Sequence, residues 1–258
     1  MQDAIGVFDS GMGGLTVLRA LRAEMPDADF VYLGDTARLP YGTKSPETVR
    51  RYSEQAAQIL VDRGVGSLVI ACNTASGLAL DHLTKTFDPL SVFGVVKPGA
   101  IAAANVVDES GVLVLATEST VASGAYQSAL TEVNPEMRVE ARACPLWVTL
   151  AEQGITAGSL TKAIIDHDLQ MIVDNGPNTV LLGCTHFPVF KSFLQENYPT
   201  SQFVDSAETT AKAVVQTLGT VKGEARMSFL ATDGIERFQR IGGFFLGEPV
   251  ADVELVDL

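Results

Sequence analysis

The chain is poor in cysteine, histidine and positive charge. Its 258 residues include three cysteines and three histidines, with 18 lysines and arginines against 31 aspartates and glutamates. The resulting net charge of -13 argues against nucleic acid and anionic membranes as partners, because both are bound through clustered lysine and arginine. A small anionic substrate is not excluded, since backbone N–H groups at a helix N-terminus can hold a carboxylate whatever the net charge.

Long hydrophobic runs are also missing. No apolar run reaches the roughly 18 to 20 residues needed to cross a bilayer. Residues Met1–Ile5 lack the basic region that opens a signal peptide. An odd number of cysteines disfavours a disulfide framework. We therefore expect a cytoplasmic protein that does not bind membranes.

The sequence offers poor sites for metals and nucleotides. Cys184 and His186 could both bind zinc, but no second close pair of ligands stands elsewhere. The glycine turn Asp9–Gly14 lacks the third glycine of a dinucleotide fingerprint and the Gly-Lys-Ser/Thr of a P-loop. We expect no cofactor and no metal, and interpret the turn as a close backbone approach to a small anion.

Short apolar runs alternate with segments of helical periodicity, which predicts an α/β fold with mainly parallel sheets. The runs predicted as strands are 5–8, 30–33, 68–71, 112–115, 139–143, 179–182, 203–204 and 228–230. The clearest predicted helices cover 15–25, 48–62, 160–173 and 209–218. Ser45-Pro46 is a good helix start, with an N-cap followed by proline at the first position.

Ligands of such sheets bind beyond the carboxyl ends of the strands, so chemistry is sought in the residues that follow each strand. Small polar and thiol side chains are concentrated there. The segments are 9–14, 34–42, 72–76, 117–120, 144–146 and 184–188.

A weak internal repeat relates three pairs of these strand ends. Cys72 and Cys184 are 112 positions apart, Asp9 and Thr117 are 108 apart, and Asp35 and Cys144 are 109 apart. Units of α/β proteins recur at similar intervals in any case, but the matching Cys-Asn and Cys-Thr contexts favour a true repeat. The repeat predicts two pseudo-symmetric α/β domains flanking a central cleft.

Cys72 and Cys184 are the strongest functional candidates. Each follows a buried-type strand and precedes a predicted helix start, which we expect to lower the pKa of Cys72 from about 8.5 toward neutrality. His186 could exchange a proton with Cys184, and Asp9 could do the same for Cys72. One such cysteine would be better explained as an inert core residue, whereas two in equivalent settings favour function.

Two equivalent thiols suit stereoinversion at a carbon acid. That reaction needs a base on one face of the carbon and an acid on the other, and its reversal needs the same pair with exchanged protonation states. A single thiol nucleophile would leave the second thiol without a role. A non-catalytic solute-binding module with a two-domain cleft is an alternative of another class.

Seven motifs, in this order along residues 5 to about 215, resemble those of the glutamate racemases. They are 6–17 (GVFDSGMGGLTV), 34–42 (GDTARLPYG), 71–76 (ACNTAS), 116–121 (ATESTV), 143–146 (ACPL), 182–188 (LGCTHFP) and 204–207 (VDSA). The last 40 residues match loosely. Thr149 departs from the proline that many members carry, and we expect it to alter a loop near the site without abolishing activity.

The resemblance implies two α/β domains around a central cleft, with residues 98–207 inserted into a domain formed by 1–97 and 208–258. It implies interconversion of L- and D-glutamate for peptidoglycan synthesis without pyridoxal phosphate or metal. A racemase of aspartate, a hydantoin or an arylmalonate is the nearest alternative.

Carried over by position, the resemblance makes Cys72 and Cys184 the acid/base pair, with Asp9 and His186 supporting them and Glu152 near the histidine. The positions that match substrate contacts are Asp9, Ser10, Pro40, Tyr41, Gly42, Cys72, Asn73, Thr74, Thr117, Cys184, Thr185 and His186.

The remaining prominent residues are predicted to be structural. Cys144 has no partner in a two-base scheme, and Asp35 with Arg38 could form an ion pair that orders the loop at Tyr41. Trp147 and the run Phe244–Leu246 are interpreted as packing. If that run is exposed, it could serve as the surface of a homodimer.

Overall fold

A computed structural model describes residues 4–173 and 176–258 of the chain. Its strands are β1 (Ile5–Asp9), β2 (Phe30–Gly34), β3 (Ser67–Ile70), β4 (Ser91–Gly94), β5 (Val112–Ala116), β6 (Val139–Ala143), β7 (Thr179–Gly183), β8 (Gln202–Asp205), β9 (Met227–Ala231) and β10 (Val253–Leu255). Its α-helices are α1 (Leu15–Glu24), α2 (Pro46–Asp62), α3 (Asn73–Thr86), α4 (Val96–Ala104), α5 (Glu118–Ser123), α6 (Ala125–Val133), α7 (Pro145–Glu152), α8 (Ser159–Val173), α9 (Lys191–Asn197), α10 (Ser206–Leu218) and α11 (Ile235–Leu246). The predicted α/β class is confirmed.

The strands form two sheets in which all the strand pairs are parallel. The larger sheet has the order β10-β9-β2-β1-β3-β4 and the smaller has β6-β5-β7-β8. Strands β1, β5 and β7 are buried along their whole length. Their continuous apolar sequence follows from this burial, because helices cover both faces of a parallel sheet.

The predicted internal repeat is visible in the strand order. The order β2-β1-β3-β4 in the larger sheet corresponds to β6-β5-β7-β8 in the smaller one, strand for strand. Asp9 and Thr117 therefore lie at the carboxyl ends of the equivalent strands β1 and β5. Cys72 and Cys184 lie just beyond the equivalent strands β3 and β7. The strands of the smaller sheet are consecutive in the chain. The exact domain boundaries stay a prediction.

One hydrophobic cluster joins the two sheets. It includes Val7 of β1, Leu115 of β5, Leu182 of β7 and Phe187 beyond β7. Helix α10 contributes to the same region by packing against α1 and α4. The strand ends that carry the candidate residues therefore rest on a shared core.

Three structural details differ from the expectations raised by the sequence. Strands β4 and β10 were not predicted, and both lie at edges of the larger sheet. Thr149 does not belong to a loop: it is a residue within α7, where its carbonyl accepts a hydrogen bond from the N–H of Gln153.

In residues 4–173 and 176–258, no helix has both the length and the apolar character needed to cross a membrane.

Candidate active site

The carboxyl ends of strands from both sheets border one narrow cavity. It brings together every predicted substrate-contacting residue except Asp9, and it adds Val148 of α7. The lining residues are Ser10, Pro40, Tyr41, Gly42, Cys72, Asn73, Thr74, Thr117, Val148, Cys184, Thr185 and His186. The larger sheet thus supplies one thiol of the cavity and the smaller sheet supplies the other.

Cys72 is the N-cap of α3, so its sulfur takes the place of the usual hydroxyl cap. The N–H of Ala75 lies 3.5 Å from Cys72 Sγ, and Ser10 Oγ lies 3.6 Å from the same sulfur. Burial, together with the negative charge of Asp9, nevertheless raises the pKa of Cys72 to about 12. The expected lowering of this pKa is therefore wrong: the helix N-terminus is present, but desolvation outweighs it.

Asp9 lies at the end of β1, fully buried, and connects the two halves of the site. The N–H of Gly11 donates to Asp9 Oδ2 at 2.9 Å, and Thr185 Oγ1 donates to Asp9 Oδ1 at 3.3 Å. Burial raises the pKa of Asp9, while the charge of His186 and these hydrogen bonds oppose the rise. Asp9 is thus positioned beside the cavity, and its charge acts on Cys72.

Cys184 is followed by a histidine that contacts both the thiol and a carboxylate. His186 Nδ1 lies 3.8 Å from Cys184 Sγ, and His186 Nε2 lies 3.2 Å from Glu152 Oε1. Burial acts to lower the pKa of His186, but the contacts with Cys184 and Glu152 outweigh it and raise this pKa to about 10. These contacts favour the protonated form of His186.

Glu152 is paired with two basic side chains, His186 and Arg237. Burial acts to raise its pKa, but hydrogen bonds with His186 and Arg237, and the charges of both, lower it below its usual range. Arg237 Nη2 donates to Glu152 Oε2 at 2.9 Å. Family resemblance alone predicted Glu152 near His186, and no sequence pattern indicated Arg237.

The cavity also presents amide and hydroxyl groups. Oxygen Oδ1 of Asn73 accepts a hydrogen bond from Tyr126 at 2.5 Å, which leaves Nδ2 buried without a partner among the described residues. The hydroxyls of Thr74, Thr117 and Thr120 are mutually 2.9 Å apart. An unpaired buried N–H is costly, so the Asn73 amide is suited to donate to a ligand carboxylate.

The loop at Tyr41 is fastened to Asp35. Asp35 Oδ2 accepts from Arg38 Nε at 2.7 Å and from the Tyr41 hydroxyl at 2.5 Å. Thr232, which follows β9, donates to the other carboxylate oxygen at 2.9 Å. The predicted ion pair is confirmed, and its contact with Tyr41 shows how it orders a wall of the cavity.

The glycine turn permits a close approach between the halves. A Cβ atom on Gly13 would lie 2.5 Å from His186 Nδ1 and 2.5 Å from Thr185 Oγ1. Glycine is required at this position because any larger residue would displace those two side chains. The interpretation of the turn as an anion site stays a prediction.

Among the residues predicted to be structural, Cys144, Trp147, Phe245 and Leu246 are buried, whereas Phe244 is 43% exposed. Cys144 and Trp147 are fully buried in the cluster that joins the sheets, and Trp147 packs against Phe187 and Phe190. Phe245 is also buried. The centroid of its ring lies 5.2 Å from that of the His186 ring, and the two rings are nearly perpendicular. In the part of the chain that the structure describes, no three His, Cys, Asp or Glu side chains are grouped as metal ligands.

Comparison with known proteins places this geometry in a family. The model of the Asp/Glu/hydantoin racemase family matches residues 15–214. The chain belongs to this family.

Within the family, the chain is similar to several glutamate racemases over nearly its whole length. It is 44% identical to that of Geobacter metallireducens over 99% of this chain and 97% of the relative, and 42% identical to that of Aquifex aeolicus over 95% of each. The crystal structure of the Francisella tularensis glutamate racemase in complex with D-glutamate matches with a TM-score of 0.92 and 32% identity, covering 99% of this chain and 98% of that one. The resemblance inferred from the motifs is confirmed.

Proposed function

We propose that the protein racemises glutamate by a two-base mechanism without a cofactor. The observation that carries the proposal is the placement of Cys72 and Cys184 at equivalent strand ends of two sheets, lining one cavity. Membership of a racemase family, with relatives named glutamate racemase, supports the activity and the substrate. Membership of a racemase family also argues against the alternative of a non-catalytic solute-binding module.

In the proposed reaction, the thiolate of one cysteine takes the α-proton, so the C–H bond breaks and an S–H bond forms. The other cysteine gives its proton to the opposite face of the carbanion. The product is the mirror-image amino acid, and the two sulfurs have exchanged protonation states. Asp9 would exchange a proton with Cys72, and the His186–Glu152 pair would exchange one with Cys184.

The cavity supplies groups that suit the charges of an amino acid. Asn73 Nδ2 and the hydroxyls of Ser10, Thr74 and Thr117 can donate to the carboxylates. Asp9 can attract the ammonium group. These groups come from both sheets, so the substrate would be held across the cleft.

The test adds L- or D-glutamate to the pure protein in heavy water and follows both circular dichroism and the α-proton signal. We expect inversion of both enantiomers, with solvent deuterium entering the product. Inversion of aspartate but not of glutamate would overturn the substrate assignment. If both enantiomers kept their α-proton, the reaction itself would be overturned.

The wider role rests on the same proposal. D-glutamate from this enzyme would be used in peptidoglycan synthesis, and the free state of all three cysteines suits the cytoplasm. Phe244, which is 43% exposed on α11, would contribute to a homodimer surface.

A further inference from the structure

Helix α11 reaches the Cys184 side of the cavity through two contacts, although it follows β9 of the larger sheet. Its Arg237 forms an ion pair with Glu152 on α7, and its Phe245 covers one edge of the His186 ring. Both residues lie beyond the seven motifs that resemble the family.

The Glu152 carboxylate divides its oxygens between two partners. Oε2 accepts from Arg237 Nη2 at 2.9 Å, whereas Oε1 faces His186 Nε2 at 3.2 Å. On the far side of the same imidazole, Nδ1 lies 3.8 Å from Cys184 Sγ. A continuous line of contacts therefore runs from α11 through α7 to the sulfur.

We propose that Arg237 is a positioning residue for the Cys184 half of the reaction, because it fixes the carboxylate that orients His186 against the thiol. Without Arg237, one Glu152 oxygen loses its partner and the carboxylate is free to rotate away from His186. The proposal rests on the two-base function above.

The direct contacts of Arg237 and Glu152 lie on the Cys184 side of the site. Cys72 is contacted by Ser10 and by the N–H of Ala75, and Asp9 is held by Gly11 and Thr185. None of these contacts involves α11. Loss of Arg237 should thus impair the proton transfers of Cys184 and spare those of Cys72.

The ion pair is peripheral enough for the fold to survive its loss. The Arg237 side chain is 39% exposed, whereas that of Glu152 is 12% exposed. Because solvent screens the pair on the Arg237 side, we expect its loss to reduce stability only modestly. Arg240, three residues further along α11 and exposed, offers a matched control.

The experiment compares Arg237→Met, Arg237→Lys and Arg240→Ala with the wild type. We expect kcat of Arg237→Met to fall about 10- to 100-fold with little change in KM, partial recovery in Arg237→Lys and no change in Arg240→Ala. With α-deuterated substrates, the isotope effect of Arg237→Met should increase for one enantiomer only. That enantiomer should be the one whose exchange is lost in Cys184→Ser.

A second readout does not depend on turnover. Side-chain NMR spectra of the three histidines, assigned with His186→Asn, report the titration of His186. If Arg237 orients Glu152, the pKa of His186 should fall in Arg237→Met, because the carboxylate contact is weakened. If Arg237 acts only as a nearby positive charge, the pKa should rise instead.

The outcomes separate the two proposals. Equal isotope effects for both enantiomers, or an unchanged or raised pKa of His186, would overturn the role of Arg237 while leaving the racemase intact. Absence of glutamate racemisation in both the wild type and Arg240→Ala would overturn the proposed function, and the NMR titration would still decide the positioning role.

Discussion

The two cysteines differ in their surroundings although they occupy equivalent strand ends. Cys72 Sγ accepts a hydrogen bond from the N–H of Ala75 and faces the Asp9 charge, whereas Cys184 lies beside His186, which is itself paired with Glu152. The pseudo-symmetry of the fold therefore places the thiols, and local residues give each a distinct means of exchanging protons.

Replacing either thiol by a hydroxyl should separate the two half-reactions. We expect Cys72→Ser and Cys184→Ser each to lose racemisation by at least about 100-fold, because a serine hydroxyl is a far weaker acid than a thiol and is scarcely ionised at neutral pH to act as a base. Each variant should still wash out the α-proton, or eliminate from a substrate analogue, with one enantiomer only. Cys144→Ala, which changes a buried cysteine outside the cavity lining, is the control. Normal racemisation by both serine variants would disprove the mechanism.

The contacts of His186 with Cys184 and Glu152 should make stability fall at alkaline pH. The pKa of His186 is raised from 6.5 to about 10, so its contribution is complete below about pH 6.5 and is lost as pH rises toward 10. Urea midpoints measured between about pH 7 and about pH 10 should decline more steeply in the wild type than in His186→Asn. The matched control is His82→Asn, which removes the exposed pair with Glu54. Identical slopes in the wild type and His186→Asn would contradict the assignment.

Among the elements, α7 carries two residues of the site, Val148 and Glu152, on a helix anchored by Trp147. The indole packs against Phe187 and Phe190, and Nε1 donates to Asp168 Oδ2 at 2.9 Å. The position of Glu152 next to His186 thus depends on packing at the opposite end of the same helix.

Trp147→Phe should destabilise the fold and misplace α7. The change removes a buried donor and part of a large ring, so we expect a loss of about 1–3 kcal/mol in the free energy of unfolding. Urea unfolding followed by far-UV circular dichroism measures it. Leu146→Ala, at an exposed position on the same helix, should stay within about 0.5 kcal/mol of the wild type. A similar loss in both variants would show that Trp147 has no special anchoring role.

The central strands were predictable from sequence, whereas β4 and β10, the edge strands of the larger sheet, were not. Strands β1, β5 and β7 are buried on both faces, which leaves a continuous apolar run in the sequence. Strand β4 is exposed or half-buried throughout, and β10 has only three residues, so neither shows such a run. Edge strands pack on fewer neighbours, and their composition then resembles that of loops.

The same contrast holds for the site. Residues at strand ends were found because parallel sheets place them at one edge, as for Cys72 and Cys184. Arg237 and Phe245 escaped notice because they reach the site from α11, through contacts that local patterns do not encode. The ionisation of Cys72 was misjudged because desolvation depends on tertiary packing that follows only from the folded chain.

At the scale of the whole molecule, the cavity is shared between the two sheets, and Asp9 is joined to Thr185 across it. A ligand that touches both sides adds contacts between the halves that the free protein lacks. Binding to the folded state alone stabilises it by about 2.7 kcal/mol at a ligand concentration of 100 Kd.

Glutamate should therefore raise the melting temperature, by roughly 5–10 °C near that concentration for a chain of this length. The double variant Cys72→Ser/Cys184→Ser allows each enantiomer to be measured separately, because neither is converted during the scan. We expect similar shifts for L- and D-glutamate, since a racemase must hold both, and a smaller shift for aspartate. Thr117→Val in the same background, which removes one hydroxyl supplied by the smaller sheet, should reduce the shift for both enantiomers. If only one enantiomer stabilised the protein, or if Thr117→Val left the shift unchanged, the substrate would not bridge the cleft, and the two thiols would have to act on a differently placed ligand.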